Sequence, residues 1–257
     1  MPRQHENYAD RMHPGIALPE GTRVYAVGDV HGRLDLLLAL HDLIREDLAA
    51  NPPQTALLVY LGDYVDRGPH SAGVIETLLS DPVSGVETVH LMGNHEQVML
   101  DFAIDGTFRD TWFRNGGRET LQSYGVDPDG AGTGDEAVAA LARAFADALP
   151  KVHRHFLAAM PTSHRAGSLF FAHAGIDPAR PLDAQQDHDL MWIRDAFLHD
   201  DRDTGAVVVH GHTPAPEPEV TPHRINVDTG AWCTGRLTAA VLENGRVRFL
   251  DTAPDGT

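Results

Sequence analysis

Three short strings, GDVHG at 28–32, GDYVDRG at 62–68 and GNHE at 93–96, constrain this chain more than anything else in it. Each closes a run of strand-forming residues and delivers a carboxylate, an imidazole or an amide where the strand ends. Those side chains are the donor types that hold divalent cations. A fold that gathers them has to line up the carboxyl ends of several strands, which is where layered α/β proteins build their sites.

Spacing within the strings separates their tasks. Asp29 and His31 stand two apart after Val24-Tyr25-Ala26-Val27, so extended geometry projects both to one side, where they can share an ion. Asp63 follows Leu57-Leu58-Val59-Tyr60-Leu61, and a carboxylate with two oxygens is the natural bridge between cations about 3.5–4 Å apart. Asn94 offers a neutral oxygen after Val89-His90-Leu91-Met92, and His95 directly behind it has a different direction and a different job. Two more apolar runs, 168–172 and 206–209, deliver His173 and the pair His210 and His212. Five strand ends are therefore expected to converge on one site.

In order and spacing, these strings, with HAG at 173–175 and GHT at 211–213, resemble the phosphoprotein phosphatase family of calcineurin-like metallophosphoesterases over residues 23–250. That family contains Ser/Thr protein phosphatases and bacterial diadenosine tetraphosphate hydrolases. The resemblance implies two divalent ions, with Asp29 and His31 on the first, Asp63 bridging, and Asn94, His173 and His212 on the second. It also implies His95 as the general acid, oriented by Asp66, and Arg67 and Arg194 as phosphate-binding arginines, with Asn94 beside the substrate. A hydroxide bridging the metals would attack phosphorus in line while His95 protonates the departing oxygen, without a covalent enzyme intermediate. Family analogy gives manganese as the metal, and the same donors accept iron or zinc.

Other polar residues have simpler readings. His210 reads as a packed residue or a support for a neighbouring ligand, and Glu96 as a favourable charge in the first turn of a helix after Asn94. His5, His13, His41, His70, His188 and His199 sit among polar neighbours and are expected to be solvated. His153, His155 and His164 fall in a helix-and-turn segment, with the cleft as the alternative setting. Asp228 is expected to order a loop beside the site. Cys233, the single cysteine, cannot form an internal disulfide and is given no catalytic task.

The helices fill the intervals. Residues 34–50 carry apolar side chains at helical spacing and 72–79 supply a second crossover, so the first half reads βαβαβ. Residues 97–160 are mostly helical apart from a loop at 127–134, and an insert over 97–165 is expected to cap the cleft. Later strands are expected at 168–172, 206–210, 224–228, 237–242 and 246–250, with a hairpin turn at 243–246. Two facing sheets with helices outside make an α/β, four-layer αββα sandwich. One domain over 1–257 suffices, with 1–20 and 251–257 expected to be loose.

Composition narrows the partners. The net charge of −17, from 20 basic and 37 acidic residues, disfavours duplex nucleic acid, whose affinity comes from cationic contacts with phosphates. No apolar run approaches the ~20 residues that cross a bilayer. The first 19 residues contain no secretory apolar core, and with one cysteine the expected setting is cytoplasmic.

Substrate is the open question at this level. The stretch Trp112-Phe113-Arg114-Asn115-Gly116-Gly117-Arg118-Glu119-Thr120 resembles a segment common in bacterial protein phosphatases and, in related form, in dinucleoside polyphosphate hydrolases. Arg114, Asn115 and Arg118 either bind substrate phosphate or cap helices and pair with acids. The leading reading is a Ser/Thr phosphoprotein phosphatase acting on phosphoproteins or phosphopeptides and tolerating phosphotyrosine and aryl phosphates. The alternative is a dinucleoside polyphosphate hydrolase, with Trp112 to Arg118 as the nucleotide grip. An inactive metal-binding scaffold is a remote third, opposed by the presence of all six ligands with His95, Asp66 and Arg67.

Overall fold

Strand residues that bury both faces build two sheets back to back. In β2 (Thr22–Val27) Val24 and Ala26 face one layer of core while Tyr25 and Val27 face another. The computed structural model describes residues 10–80, 83–130 and 134–253. The loose ends expected at 1–9 and 254–257, His5, and loop residues 131–133 lie outside the described residues.

The first sheet also contains β1 (Arg11–Met12), β3 (Thr55–Tyr60), β4 (Glu87–His90), β10 (Thr238–Glu243) and β11 (Arg246–Asp251), in the order β1-β11-β10-β2-β3-β4. Strands β2, β3 and β4 are parallel and are linked through α1 (Leu34–Ala50) and α2 (Ser71–Leu79), the expected βαβαβ unit. The second sheet runs β5 (Ser163–Ala166), β6 (Leu169–Ala172), β7 (Val207–His210), β9 (Arg224–Asn226) and β8 (Glu219–Val220), with β6, β7 and β9 parallel. Val59, Leu61, Phe171, Val209, Ile225 and Leu242 fill the space between the sheets. Helices cover the outer faces: α1 and α2 lie on Tyr25, Leu58 and Tyr60, while α8 (Asp187–Trp192) and α9 (Asp195–Leu198) lie on Phe170 and Val208. The result is the αββα sandwich.

Between β4 and β5 the chain forms α3 (Asn94–Asp105), α4 (Arg109–Arg114), α5 (Gly117–Ser123), α6 (Asp135–Ala148) and α7 (Lys151–Ala158). Phe102, Trp112 and Phe145 pack into one aromatic cluster that binds these helices to each other. The insert is shorter than the 97–165 expected. Its last residues turn into β5, which pairs with β6 and places His164 in a strand.

Several polar residues behave differently from their sequence neighbourhood. Residues 10–20, expected to be loose, are tied down: β1 pairs with β11, Ile16 is buried, and buried His13 donates from Nε2 to the Thr221 carbonyl at 2.8 Å. Asp251 likewise belongs to β11. His41, expected to be solvated, is buried on α1 and accepts the Tyr60 hydroxyl at 2.7 Å. Asp47 on the same helix is buried beneath Arg23, Tyr25 and Arg248, whose donors reach it at 3.0, 2.6 and 2.7 Å. A buried carboxylate with three donors is fully compensated and locks α1 to β2 and β11.

Candidate active site

Six strand ends meet, one more than expected. Asp29 and His31 follow β2, Asp63 follows β3, Asn94 opens α3 after β4, His173 follows β6, His212 follows β7, and Asp228 follows β9. The turns that carry them are strained. His31, Asp63, Asp66, Arg67 and His212 all have left-handed backbones, with φ of 46°, 52°, 73°, 67° and 67°. Such conformations cost a non-glycine residue on the order of 1–3 kcal/mol each and persist where surrounding structure dictates them. Glycines beside them leave room for the functional side chains: a Cβ on Gly93 would lie 2.3 Å from Asp63 Oδ1, and one on Gly211 2.1 Å from Asp29 Oδ1.

The donor set fits a pair of cations. Asp63, His173 and His212 bring ligand atoms within 4.8 Å of one another, while His31 and Asp63 form a second such group only together with His95, and Asp29 belongs to neither. His173 donates from Nδ1 to the Leu61 carbonyl at 3.0 Å, which turns Nε2 inward as the atom free to meet an ion. There it meets Asn94 Oδ1 at 2.9 Å and Asp63 Oδ1 at 3.3 Å, two further acceptors. His31 repeats the arrangement, with Nδ1 on the Val65 carbonyl at 2.9 Å and Nε2 3.6 Å from Asp63 Oδ2. Burial lowers its pKa to about 3 and that of His212 to about 2, which keeps both rings neutral and ligand-ready. His212 Nε2 is buried without a hydrogen-bond partner among the described residues. Lone pairs facing lone pairs in a buried space call for a positive ion.

The carboxylates lead to the same conclusion. Asp29 accepts the His212 backbone N–H at 3.1 Å, and its pKa is held well above the ordinary range by burial and by the charges of Asp228 and Asp63. Burial raises Asp228 as well, to about 6, while its Oδ1 accepts the Gly230 N–H at 2.9 Å and so orders the loop after β9. Buried acids this close together are costly without a compensating cation.

His95 differs from His31, His173 and His212. Its Nδ1 donates to Asp66 Oδ2 at 2.6 Å, while its Nε2 lies 3.8 Å from Asp63 Oδ2. Burial pulls its pKa down, but the Asp63 charge and the Asp66 hydrogen bond outweigh that and lift it to about 9. A ring protonated at neutral pH offers a proton where His31 and His212 offer lone pairs. Asp66 in turn accepts Trp112 Nε1 at 2.9 Å and the Thr120 hydroxyl at 2.6 Å, both from the helical insert.

Glu96 lies in the first turn of α3, as expected, and has a further task that the sequence does not reveal. Rather than answering a helix dipole alone, its buried carboxylate accepts the backbone N–H groups of Asp63 at 2.8 Å, Tyr64 at 2.7 Å, Val65 at 3.2 Å and Gly93 at 3.0 Å. One side chain thus buckles the GDYVDRG turn to the GNHE turn. Trp112 and Thr120 were also missed as supports, although the segment that contains them had been singled out. Trp112 is 1% exposed and spent on Asp66, so it is not a surface for a nucleotide base, as the dinucleotide alternative had it.

The remaining candidates are placed as follows. Arg67 sits in the strained turn with its backbone N–H on the Gly116 carbonyl at 3.2 Å. Arg194 is exposed at the start of α9, close enough for its charge to bear on His212. Arg114 is held on Thr111 at 3.3 Å, Asn115 on the Thr111 carbonyl at 2.8 Å, and Arg118 on Asp129 at 2.8 Å and over the Phe113 ring. His210 packs edge-on against Phe197. His153 joins Tyr124 to Glu76, at 3.0 and 2.9 Å, and so ties α7 to α2.

Comparison with known proteins follows this geometry. Residues 22–248 match the calcineurin-like phosphoesterase family. The chain is 29% identical over 226 residues to serine/threonine-protein phosphatase 1 of Salmonella typhimurium, covering 86% of this chain and 92% of that one. It is 26% identical over 242 residues to the asymmetrical bis(5'-nucleosyl)-tetraphosphatase PrpE of Bacillus thuringiensis, covering 83% and 87%. Its fold is shared with the crystal structure of a cold-active protein-tyrosine phosphatase of a psychrophilic Shewanella, with a TM-score of 0.59 at 18% identity over 93% of this chain and 82% of that one. Because the family match runs from the start of β2 into β11, this chain belongs to the calcineurin-like phosphoesterases, hydrolases of phosphoesters that work with bound metal.

Proposed function

We propose that the chain is a phosphomonoester hydrolase that removes phosphate from Ser and Thr side chains of proteins and tolerates aryl phosphates. The observation that carries this reading is the buried His95–Asp66 pair set against the cation-binding cluster, an acid poised to protonate an alkoxide. Asp29, His31, Asp63, Asn94, His173 and His212 hold the two ions, taken to be manganese, which when bound polarise the phosphoryl group and acidify water.

The chain's own residues supply the rest of the reaction. Arg67 and Arg194 would grip the phosphate oxygens and, with Asn94, fix the phosphorus in line for attack by water, whose oxygen bonds to phosphorus opposite the leaving oxygen and whose proton passes to solvent. As the bond from phosphorus to the leaving oxygen breaks, His95 Nε2 gives its proton to that oxygen, and the Asp66 hydrogen bond at Nδ1 keeps the ring oriented. The helical insert serves as a cap, with Arg114 and Arg118 committed to Thr111 and Asp129 on it.

Similarity to serine/threonine-protein phosphatase 1 supports the protein substrate. So does the insert, where Trp112 is buried and Arg118 is paired with Asp129, which leaves little for a base and a chain of phosphates. The second reading, a dinucleoside polyphosphate hydrolase, is supported by the similarity to PrpE. The test is kcat/KM for a phosphothreonine peptide and for diadenosine tetraphosphate, side by side on metal-stripped protein reloaded with manganese. Preference for the peptide by about tenfold or more, ~1.4 kcal/mol in transition-state binding, is expected. Preference for the dinucleotide by the same margin overturns the protein substrate and leaves the metal chemistry standing.

A further inference from the structure

An exposed indole lies against one of the two proposed phosphate arginines. Trp232 is 41% exposed, and the Arg67 guanidinium carbon sits 4.7 Å from its ring centroid. The short helix α10 (Ala231–Thr234) that carries it lies between Gly230 and Gly235, both in left-handed conformation, and is pinned on several sides. Arg33 donates to the Ala231 carbonyl at 3.0 Å, Asp228 accepts the Gly230 N–H, and the Thr234 hydroxyl returns to the Thr229 carbonyl at 2.9 Å. Ala231 is buried while its neighbour stands out. A large apolar side chain held rigidly in the open beside a functional cation is poorly explained by packing.

We propose that Trp232 is a specificity-determining residue that stacks on a flat aromatic ring carried next to the scissile phosphate. The proposal rests on the reading of Arg67 as a phosphate-binding residue and adds to it a preference for what is attached to the phosphate. Arg67 covers one face of the indole, and a ring one linker from a phosphate on Arg67 would stack on the face left open, at the ~4.5–7 Å of aromatic pairs. Arg67 also polarises the ring it covers, and its Nε is buried with no partner among the described residues, so it has a donor to spare. The ring has two chemical sources, the phenyl group of phosphotyrosine and the base of a nucleotide. Stacking serves either, because both present a π face.

The experiment compares ratios of kcat/KM, which cancel differences in the folded fraction of a variant. One pair is a phosphotyrosine peptide against a phosphothreonine peptide of the same sequence. The other is diadenosine tetraphosphate against inorganic tetraphosphate. Trp232→Ala is expected to lower the aromatic-to-plain ratio about tenfold in at least one pair, with Trp232→Phe keeping it within about threefold of wild type. A fall in the first pair assigns the phenyl ring, and a fall in the second assigns the base. Unchanged ratios in both pairs overturn the proposal. Arg67→Ala separates the two layers: if it depresses all four substrates while Trp232→Ala shifts no ratio, the stacking proposal fails and the phosphate reading survives. If it depresses none, the phosphate reading itself fails and the stacking proposal falls with it.

Discussion

His95 is placed to give a proton away, since the Asp63 charge and the Asp66 hydrogen bond both favour its charged form. With its pKa lifted to about 9, the ring is charged through the neutral range, and an alkoxide leaving phosphorus is the kind of base that takes the proton. His95→Asn is accordingly expected to lower kcat on an alkyl phosphate by ~10²–10⁴-fold and to leave metal content unchanged. The loss on p-nitrophenyl phosphate is expected to be much smaller, because p-nitrophenolate departs without a proton. Equal losses on both substrates, read by steady-state kinetics with metal analysis of the same samples, would remove the acid role. The same residue illustrates how neighbours divide labour: Asn94 and His95 are adjacent, yet one faces the His173 lone pair and the other Asp66.

The elements that hold this acid come from separate stretches of the first half of the chain. Asp66 lies in the turn after β3, and its partners Trp112 and Thr120 lie on α4 and α5. The insert therefore braces the catalytic turn. Trp112→Phe keeps most of the aromatic packing and deletes the indole N–H, so it is expected to cost about 1–2 kcal/mol in unfolding free energy and to lower kcat by roughly tenfold with KM little changed. Urea titration and steady-state kinetics check both halves, and an unaltered kcat would make the brace structural only. The strands and crossover helices were legible from the sequence because apolar runs such as 57–61 and the period of 34–50 leave little choice of element. Strands β1 and β8, of two residues each, carry no periodicity and exist because a partner strand pairs with them. The placement of Asp29, His31, Asp63, His173 and His212 after strands was legible because each follows an apolar run. Glu96 and Trp112 were not legible as supports, because the Glu96 partners Asp63 to Val65 are 31–33 residues away, the Trp112 partner Asp66 is 46 away, and both roles depend on burial.

At the scale of the whole molecule, buried titratable groups make stability depend on pH. His41 is buried beside Tyr60, and burial lowers its pKa from 6.5 to about 4. The folded form therefore binds its proton less readily than the unfolded chain. Its contribution is fully present above pH 6.5 and is lost progressively as the pH falls toward 4. For His41 this amounts to about 2 kcal/mol between pH 7 and pH 5, an amount expected to vanish from the difference between unfolding free energies at those two pH values in His41→Gln. If the variant and wild type show the same pH slope, His41 is not the titrating group. No helix among the described residues is long and apolar enough to cross a membrane, and the formal charge of −17 makes bound cations a stabilising addition. Asp63 is where the entire account converges, shared by both donor groups and held by Glu96. The most direct measurement is bound manganese per chain together with turnover of a phosphoester, for wild type and Asp63→Asn. About two ions per wild-type chain, with both ions and turnover lost in the variant, is the predicted result; a variant that keeps two ions and full turnover would contradict the bridging site on which the mechanism stands.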